Sequence, residues 1–116
     1  MRTTVLIVDD HDGFRTFARD LLEAQGFDVV GEASTGSVGI EAAANLRPDV
    51  VLLDVMLPDV DGFTVCERIT DSGAADVVLT SSHDVSTFRL NLERSRARGF
   101  ISKSELSGPA LAALLG

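Results

Sequence analysis

The sequence predicts an α/β fold, a parallel sheet covered by helices on both faces. Three observations predict it. Short continuous runs of aliphatic and β-branched residues, at 4–8, 49–53 and 76–80, fit strands buried on both faces. Between them lie segments whose apolar residues recur three and four apart, the helical period. The two patterns alternate along the chain, as in a succession of βαβ units.

The elements follow in order. Thr4-Val5-Leu6-Ile7-Val8 is the first strand, and Asp9 and Asp10 come directly after it. Phe14, Phe17, Ala18, Leu21 and Leu22 mark a first helix that Gly26 can stop. Residues 29–33 form a weaker, edge-like strand that ends at Ser34 and Thr35. Val38, Ala42 and Leu46, four apart, mark the inner face of a second helix, ended by Pro48. Residues 49–53 form the third strand, followed by Asp54. Asp61 is positioned to cap a third helix whose apolar face is Phe63, Cys66 and Ile69. The fourth strand, 76–80, runs into Thr80, Ser81 and Ser82. Val85, Phe88 and Leu92 mark a fourth helix. A short fifth strand, 99–102, leads to Lys103, and Leu106, Ala110 and Leu114 mark a fifth helix.

Composition narrows the function. A chain of 116 residues, 45% apolar and 24% charged, holds one globular domain over 1–116 rather than a disordered tail. Its single cysteine, Cys66, excludes an internal disulfide and suits a reducing, cytoplasmic setting. No apolar run approaches the ~20 residues of a membrane span, and no signal-peptide pattern opens the chain. Eighteen acidic against ten basic residues give a net charge of -8, which argues against a nucleic-acid-binding surface. The chain has one lysine, Lys103.

Ligands of open α/β sheets bind beyond the carboxyl ends of the strands. Those ends carry Asp9, Asp10, Asp54, the Thr80-Ser81-Ser82 hydroxyls and Lys103. Carboxylates gathered on one rim repel one another unless a cation joins them. A hard ion such as Mg2+, held by carboxylates with waters retained, answers that need. With Lys103 and a hydroxyl facing the same point, the rim can cradle a tetrahedral anion. A carboxylate there can act as nucleophile toward phosphorus. Each residue has a plainer role as well: Asp9-Asp10 as a helix cap, Asp54 as a loop aspartate, the hydroxyls as turn formers, Lys103 as a solvated side chain.

At these residues the sequence resembles the receiver domain of two-component response regulators. The matching segments are Val5-Leu6-Ile7-Val8-Asp9-Asp10-His11, the run from Pro48 through Asp54 and Pro58 to Asp61-Gly62, Val77-Val78-Leu79-Thr80-Ser81-Ser82, and Gly99-Phe100-Ile101-Ser102-Lys103. The resemblance implies a flavodoxin-like (βα)5 fold with five parallel strands in the order 2-1-3-4-5. It implies that Asp54 accepts a phosphoryl group from a sensor histidine kinase or phosphotransfer protein. It implies Mg2+ on Asp10, Asp54 and the Met56 carbonyl, with Asp9 nearby or through water, and Lys103 on the phosphoryl group. A switch hydroxyl, Ser81 by its spacing to Lys103 or else Thr80, would move together with Phe100. The face of the fourth helix, fifth strand and fifth helix would then engage a partner, an output domain or a second copy in a homodimer. Ser104 follows Lys103 where many relatives carry proline, so a trans peptide or a remodelled loop is expected there. The stretch between Asp54 and the fourth strand is short for the family, so the third helix or its exit loop is trimmed.

Other readings stay open. A Mg2+-dependent aspartyl-phosphate phosphohydrolase uses the same nucleophile, but Val55-Met56 supplies no second carboxylate. A mononucleotide or flavin module needs a phosphate loop where this chain has Asp9-Asp10-His11-Asp12. A receiver that no longer uses phosphorylation keeps the same residues. His11 reads as the start of the first helix or a metal acceptor, His83 as a loop residue near the rim, and Cys66 as core. Arg89, Arg94, Arg96 and Arg98 read as a solvated face or a partner surface.

Overall fold

The computed structural model describes residues 2–116; Met1, the first residue of the expected domain, lies outside the described residues. Five strands form one parallel sheet: β1 (Thr4–Val8), β2 (Asp28–Ala33), β3 (Val50–Asp54), β4 (Asp76–Ser81) and β5 (Gly99–Ser102). Their order is β2-β1-β3-β4-β5, as the resemblance implies. The central strands are buried almost throughout, which is why they read as unbroken apolar runs. The edge strand β2 alternates, and its pairing with β1 shifts register between Val5 and Leu6.

The pleat sends alternate residues to two cores. Val5, Ile7, Val50, Leu52, Val78 and Ile101 face α1 (Asp12–Ala24) and α5 (Gly108–Leu115). Leu6, Val8, Val51, Leu53, Val77 and Leu79 face α2 (Gly36–Leu46) and α3 (Gly62–Ser72). Cys66 is buried in the second core, and burial pushes its thiol up to about 11. Gly26 follows α1 at φ 101, the left-handed turn expected of a helix stop. Asp61 caps α3, accepting from the Thr64 N–H at 3.0 Å. Only Gly73, Ala74 and Ala75 separate α3 from β4, so the short segment shows in the exit loop while α3 keeps three turns. No cis peptide occurs among the described residues, so the bond before Ser104 is trans.

Two expectations need correction. The inner face of α2 is Gly36, Gly39 and Ala43, with Ala42 partly buried, while Val38 and Leu46 are exposed. Helix and sheet approach too closely for larger residues: a Cβ on Gly39 would lie 2.8 Å from Val8 Cγ1. The fourth helix is not continuous either. A 3-10 turn, Val85–Phe88, precedes a six-residue α4, Arg89–Arg94, and neither buries a residue. Asp84 starts the tight turn: its Oδ1 accepts the Ser86 N–H at 2.9 Å and its carbonyl accepts the Thr87 N–H at 3.0 Å.

Candidate functional site

The pleat also builds the site. Extending each strand by its own alternation, Ile7 leads to Asp9, Leu52 to Asp54, Val78 to Thr80 and Ile101 to Lys103. All four side chains therefore leave the sheet on the face of α1 and α5, where the strands end. Register keeps them level, since Asp54 pairs with Thr80 and Thr80 with Ile101. Gly62 admits the close return of α3, because a Cβ there would overlap the backbone of Asp54 and Val55.

Lys103 Nζ sits between two buried carboxylates, 2.7 Å from Asp9 Oδ2 and 3.0 Å from Asp54 Oδ2. Asp9 is 1% exposed and Asp54 3%. The contact with Asp54 is a hydrogen bond, whereas the contact with Asp9 is an ion pair without hydrogen-bond alignment. The other Asp54 oxygen, Oδ1, accepts the Met56 N–H at 2.9 Å. Phe14 of α1 lies beneath the ammonium, its ring centroid 4.6 Å from Nζ.

Burial pushes the Asp54 carboxyl above its ordinary range, against the pull of the Met56 N–H and Lys103, and the Asp9 charge adds to the push. Burial also works against the Lys103 ammonium. The close contacts with the Asp9 and Asp54 carboxylates and their negative charges outweigh it, so the lysine stays charged with a raised pKa. One cation thus faces two buried carboxylates and, beside them, Asp10.

Asp9, Asp10, His11 and Asp54 offer ligand atoms all within 4.8 Å of one another. His11 Nδ1 lies 3.1 Å from Asp9 Oδ1 and 3.2 Å from Asp10 Oδ1, and the His11 N–H donates to Asp9 Oδ1 at 2.9 Å. The acidic pair therefore does not cap α1 through a side chain; His11 occupies the cap position and itself makes no cap bond. A set of hard oxygen donors around an undercompensated carboxylate pair fits a small divalent cation such as Mg2+.

Other candidate residues divide. Ser81 Oγ, buried, accepts the His83 N–H at 3.0 Å. Thr80 Oγ1, also buried, has no hydrogen-bond partner. Ser81, His83 and Lys103 line a cleft of about 610 Å3 whose far wall is Phe14 and Phe17. Phe100, half-buried on β5, lines a second cleft of about 340 Å3 with Val85 and Leu114. Ser34 and Thr35 do not join the rim: Thr35 caps α2, accepting from Val38 N–H at 3.2 Å. The arginine run does not act as one face. Arg96 pairs with Asp71, and Arg98 donates to the Leu114 and Leu115 carbonyls at the end of α5.

Sequence reasoning missed two residues that hold the rim. Arg15 donates to the Asp9 carbonyl at 2.6 Å while pairing with Glu32 at 3.1 Å and with Asp12. Asp59 accepts from the N–H groups of Gly36 and Ser37 at 2.8 and 3.0 Å. The Arg15 contact with Glu32 and both Asp59 contacts span 17 to 23 residues, so no local spacing signals them.

Among the described residues, no helix is long and apolar enough to cross a membrane. The chain is 40% identical over 106 residues to the DNA-binding response regulator MtrA of Mycolicibacterium smegmatis, covering 89% of this chain and 45% of that protein. It is 35% identical over 113 residues to a protein-glutamate methylesterase/protein-glutamine glutaminase of Alkalilimnicola ehrlichii, covering 93% of this chain and 29% of that one. The chain thus spans about half or less of the curated relatives it matches. Its fold superposes on a LuxR-family two-component response regulator of Aurantimonas at TM-score 0.87 and 30% identity, over 99% of this chain and 86% of that one. A family model described as the response regulator receiver domain matches residues 5–114, and the chain belongs to that family.

Proposed function

We propose that Asp54 is the phosphoacceptor of a two-component phosphorelay, and that Asp9, Asp10 and the Met56 carbonyl join it in holding Mg2+. The observation that carries this reading is the Lys103 ammonium held between the buried Asp9 and Asp54 carboxylates. A phosphoryl group arriving at Asp54 meets a fixed cation that need not reorganise. The incoming group is a phosphohistidine of a sensor kinase or phosphotransfer protein. The Asp54 carboxylate forms a bond to phosphorus, the phosphorus–nitrogen bond breaks, and the electron pair leaves on the imidazole nitrogen. When bound, Mg2+ neutralises charge on the transferring group.

This chain's residues do the rest. Met56 N–H orients one Asp54 oxygen. Lys103 holds the other, and its raised pKa keeps it charged at neutral pH. Ser81, rather than Thr80, is the moving hydroxyl, since Ser81 and Lys103 line the same cleft. Its displacement frees the 82–95 segment, and Phe100 follows into the cleft beside Val85. That face then meets an output domain or a second copy of the chain. The chain acts as a phosphoacceptor switch rather than a turnover enzyme, a reading supported by its membership of the receiver-domain family. Such a switch works in the cytoplasm.

Intact-mass analysis after incubation with acetyl phosphate tests the acceptor. One Mg2+-dependent, acid-labile phosphoryl adduct is expected, absent in Asp54→Asn. The same adduct in the variant would overturn the assignment.

A further inference from the structure

Asp59 lies in the loop between β3 and α3, and its carboxylate reaches the N-terminal end of α2. Oδ1 accepts the Gly36 N–H at 2.8 Å. Oδ2 accepts the Ser37 N–H at 3.0 Å and the Ser37 hydroxyl at 2.9 Å. We infer that Asp59 is a positioning residue for the metal site: by tying the tip of the β3–α3 loop to the start of α2, it sets where Met56 presents its backbone to Asp54 and to Mg2+.

The loop needs such a tie. Its base is closed by Val55 N–H on the Thr80 carbonyl at 2.9 Å and Gly62 N–H on the Val55 carbonyl at 2.7 Å. Between those points Met56 is exposed, and its N–H bond to Asp54 is the loop's contact with the site. Asp59 supplies the side-chain bonds that hold the tip. The bond to Gly36 depends on close approach: a Cβ at Gly36 would lie 2.9 Å from Val65 Cγ2 and 3.3 Å from Asp59 Oδ1.

The helix gains less from these bonds than the loop does. Thr35 already caps α2 through Val38 N–H. Ser37 is exposed, so water can satisfy its N–H. The carboxylate is a strong acceptor here, held at about 2 by the two N–H groups. Groups that orient a metal ligand from outside the coordination sphere commonly change metal affinity when removed, and Asp59 would act on Met56 through the loop backbone.

The inference rests on the Mg2+ reading above, so the experiment separates the two. Mg2+ is titrated into the wild type, Asp59→Ala and Asp59→Asn, followed by calorimetry and by the NMR shift of the Met56 amide. The wild type is expected to bind. Asp59→Ala is expected to bind about tenfold more weakly, with a displaced Met56 amide before any metal is added. Asp59→Asn, which keeps one good acceptor, is expected to lose less. Phosphorylation of Asp59→Ala by acetyl phosphate is expected to recover at saturating Mg2+, because Asp54 and Lys103 are untouched. Should Asp59→Ala not fold, Ser37→Ala removes one of the three bonds and is expected to weaken binding about twofold. Equal affinity in a folded variant, with an unmoved Met56 amide, overturns the Asp59 role alone. No Mg2+ binding by the wild type overturns the metal reading and this inference with it.

Discussion

Two loops leave the carboxyl edge of the sheet side by side and are held in opposite ways. The loop after β3 is fixed over long stretches of sequence, through Val55 to Thr80 and through Asp59 to Gly36 and Ser37. The segment after β4 is held by near neighbours: Ser81 by His83, Asp84 by Ser86, Ser95 by Leu92. It continues into a 3-10 turn and a six-residue helix that bury nothing, leaving Val85 44% and Leu90 57% exposed. A helix that short has little stability of its own, so packing must hold it, and only Phe88 and Leu92 contribute. Local opening is cheap where contacts are few. The difference teaches a division of labour. The rigid loop fixes the chemistry at Asp54, and the loosely held segment is free to register it.

The comparison can be broken first at its rigid side. Gly62→Ala is expected to cost about 3 kcal/mol, since the added methyl meets backbone rather than a movable side chain. Leu90→Ala, on the loose side, is expected to stay within about 0.5 kcal/mol. Urea unfolding of the two variants measures the contrast; similar losses would erase it. Lys103→Ala comes next. It leaves the Asp9 and Asp54 carboxylates without their cation, and phosphorylation by acetyl phosphate should slow by about 10²-fold.

Acid sharpens the comparison. Asp59 has a folded pKa of about 2, below the ordinary 3.8, so its hydrogen bonds stabilise the fold fully above about pH 4. That contribution is lost as pH falls from about 4 towards 2. The N–H of Ser86 lowers Asp84 too, in the same direction. Asp54 runs the other way, because its burial-raised pKa makes charging it cost stability as pH rises. Thermal melts are expected to show a steeper loss below pH 4 in the wild type than in Asp59→Asn. The smallest effect belongs to α4. Asn91→Ala, at an exposed helical position, should stabilise that helix by about 0.5 kcal/mol through propensity. Hydrogen exchange at Leu92–Arg94 should slow while the global melting temperature stays put.

Much of this was legible in the sequence. The runs that became β1, β3 and β4 are apolar because both faces are buried, and that demand leaves a plain signature. The rim was legible because residues at or just past a strand's end must emerge where the sheet ends, which placed Asp9, Asp54 and Lys103. The α2 face was misread because packing selected Gly36, Gly39 and Ala43, residues a search for large apolar side chains passes over. The split of the fourth helix was misread because Val85, Phe88 and Leu92 keep the helical period while burying little. Asp59 and Arg15 were invisible for another reason. Asp59's partners and the Glu32 partner of Arg15 lie across the fold, and nothing in local spacing encodes them.

The central claim is that chemistry at Asp54 loosens or reorders the segment after β4 while the loop after β3 stays in place. Amide hydrogen exchange, followed segment by segment with and without phosphorylation in Mg2+, tests it most directly. Altered exchange across 82–95 and the Phe100 strand, with protection of 55–62 retained or increased, is the predicted result. Altered exchange confined to 55–62, with 82–95 unchanged, would contradict the account.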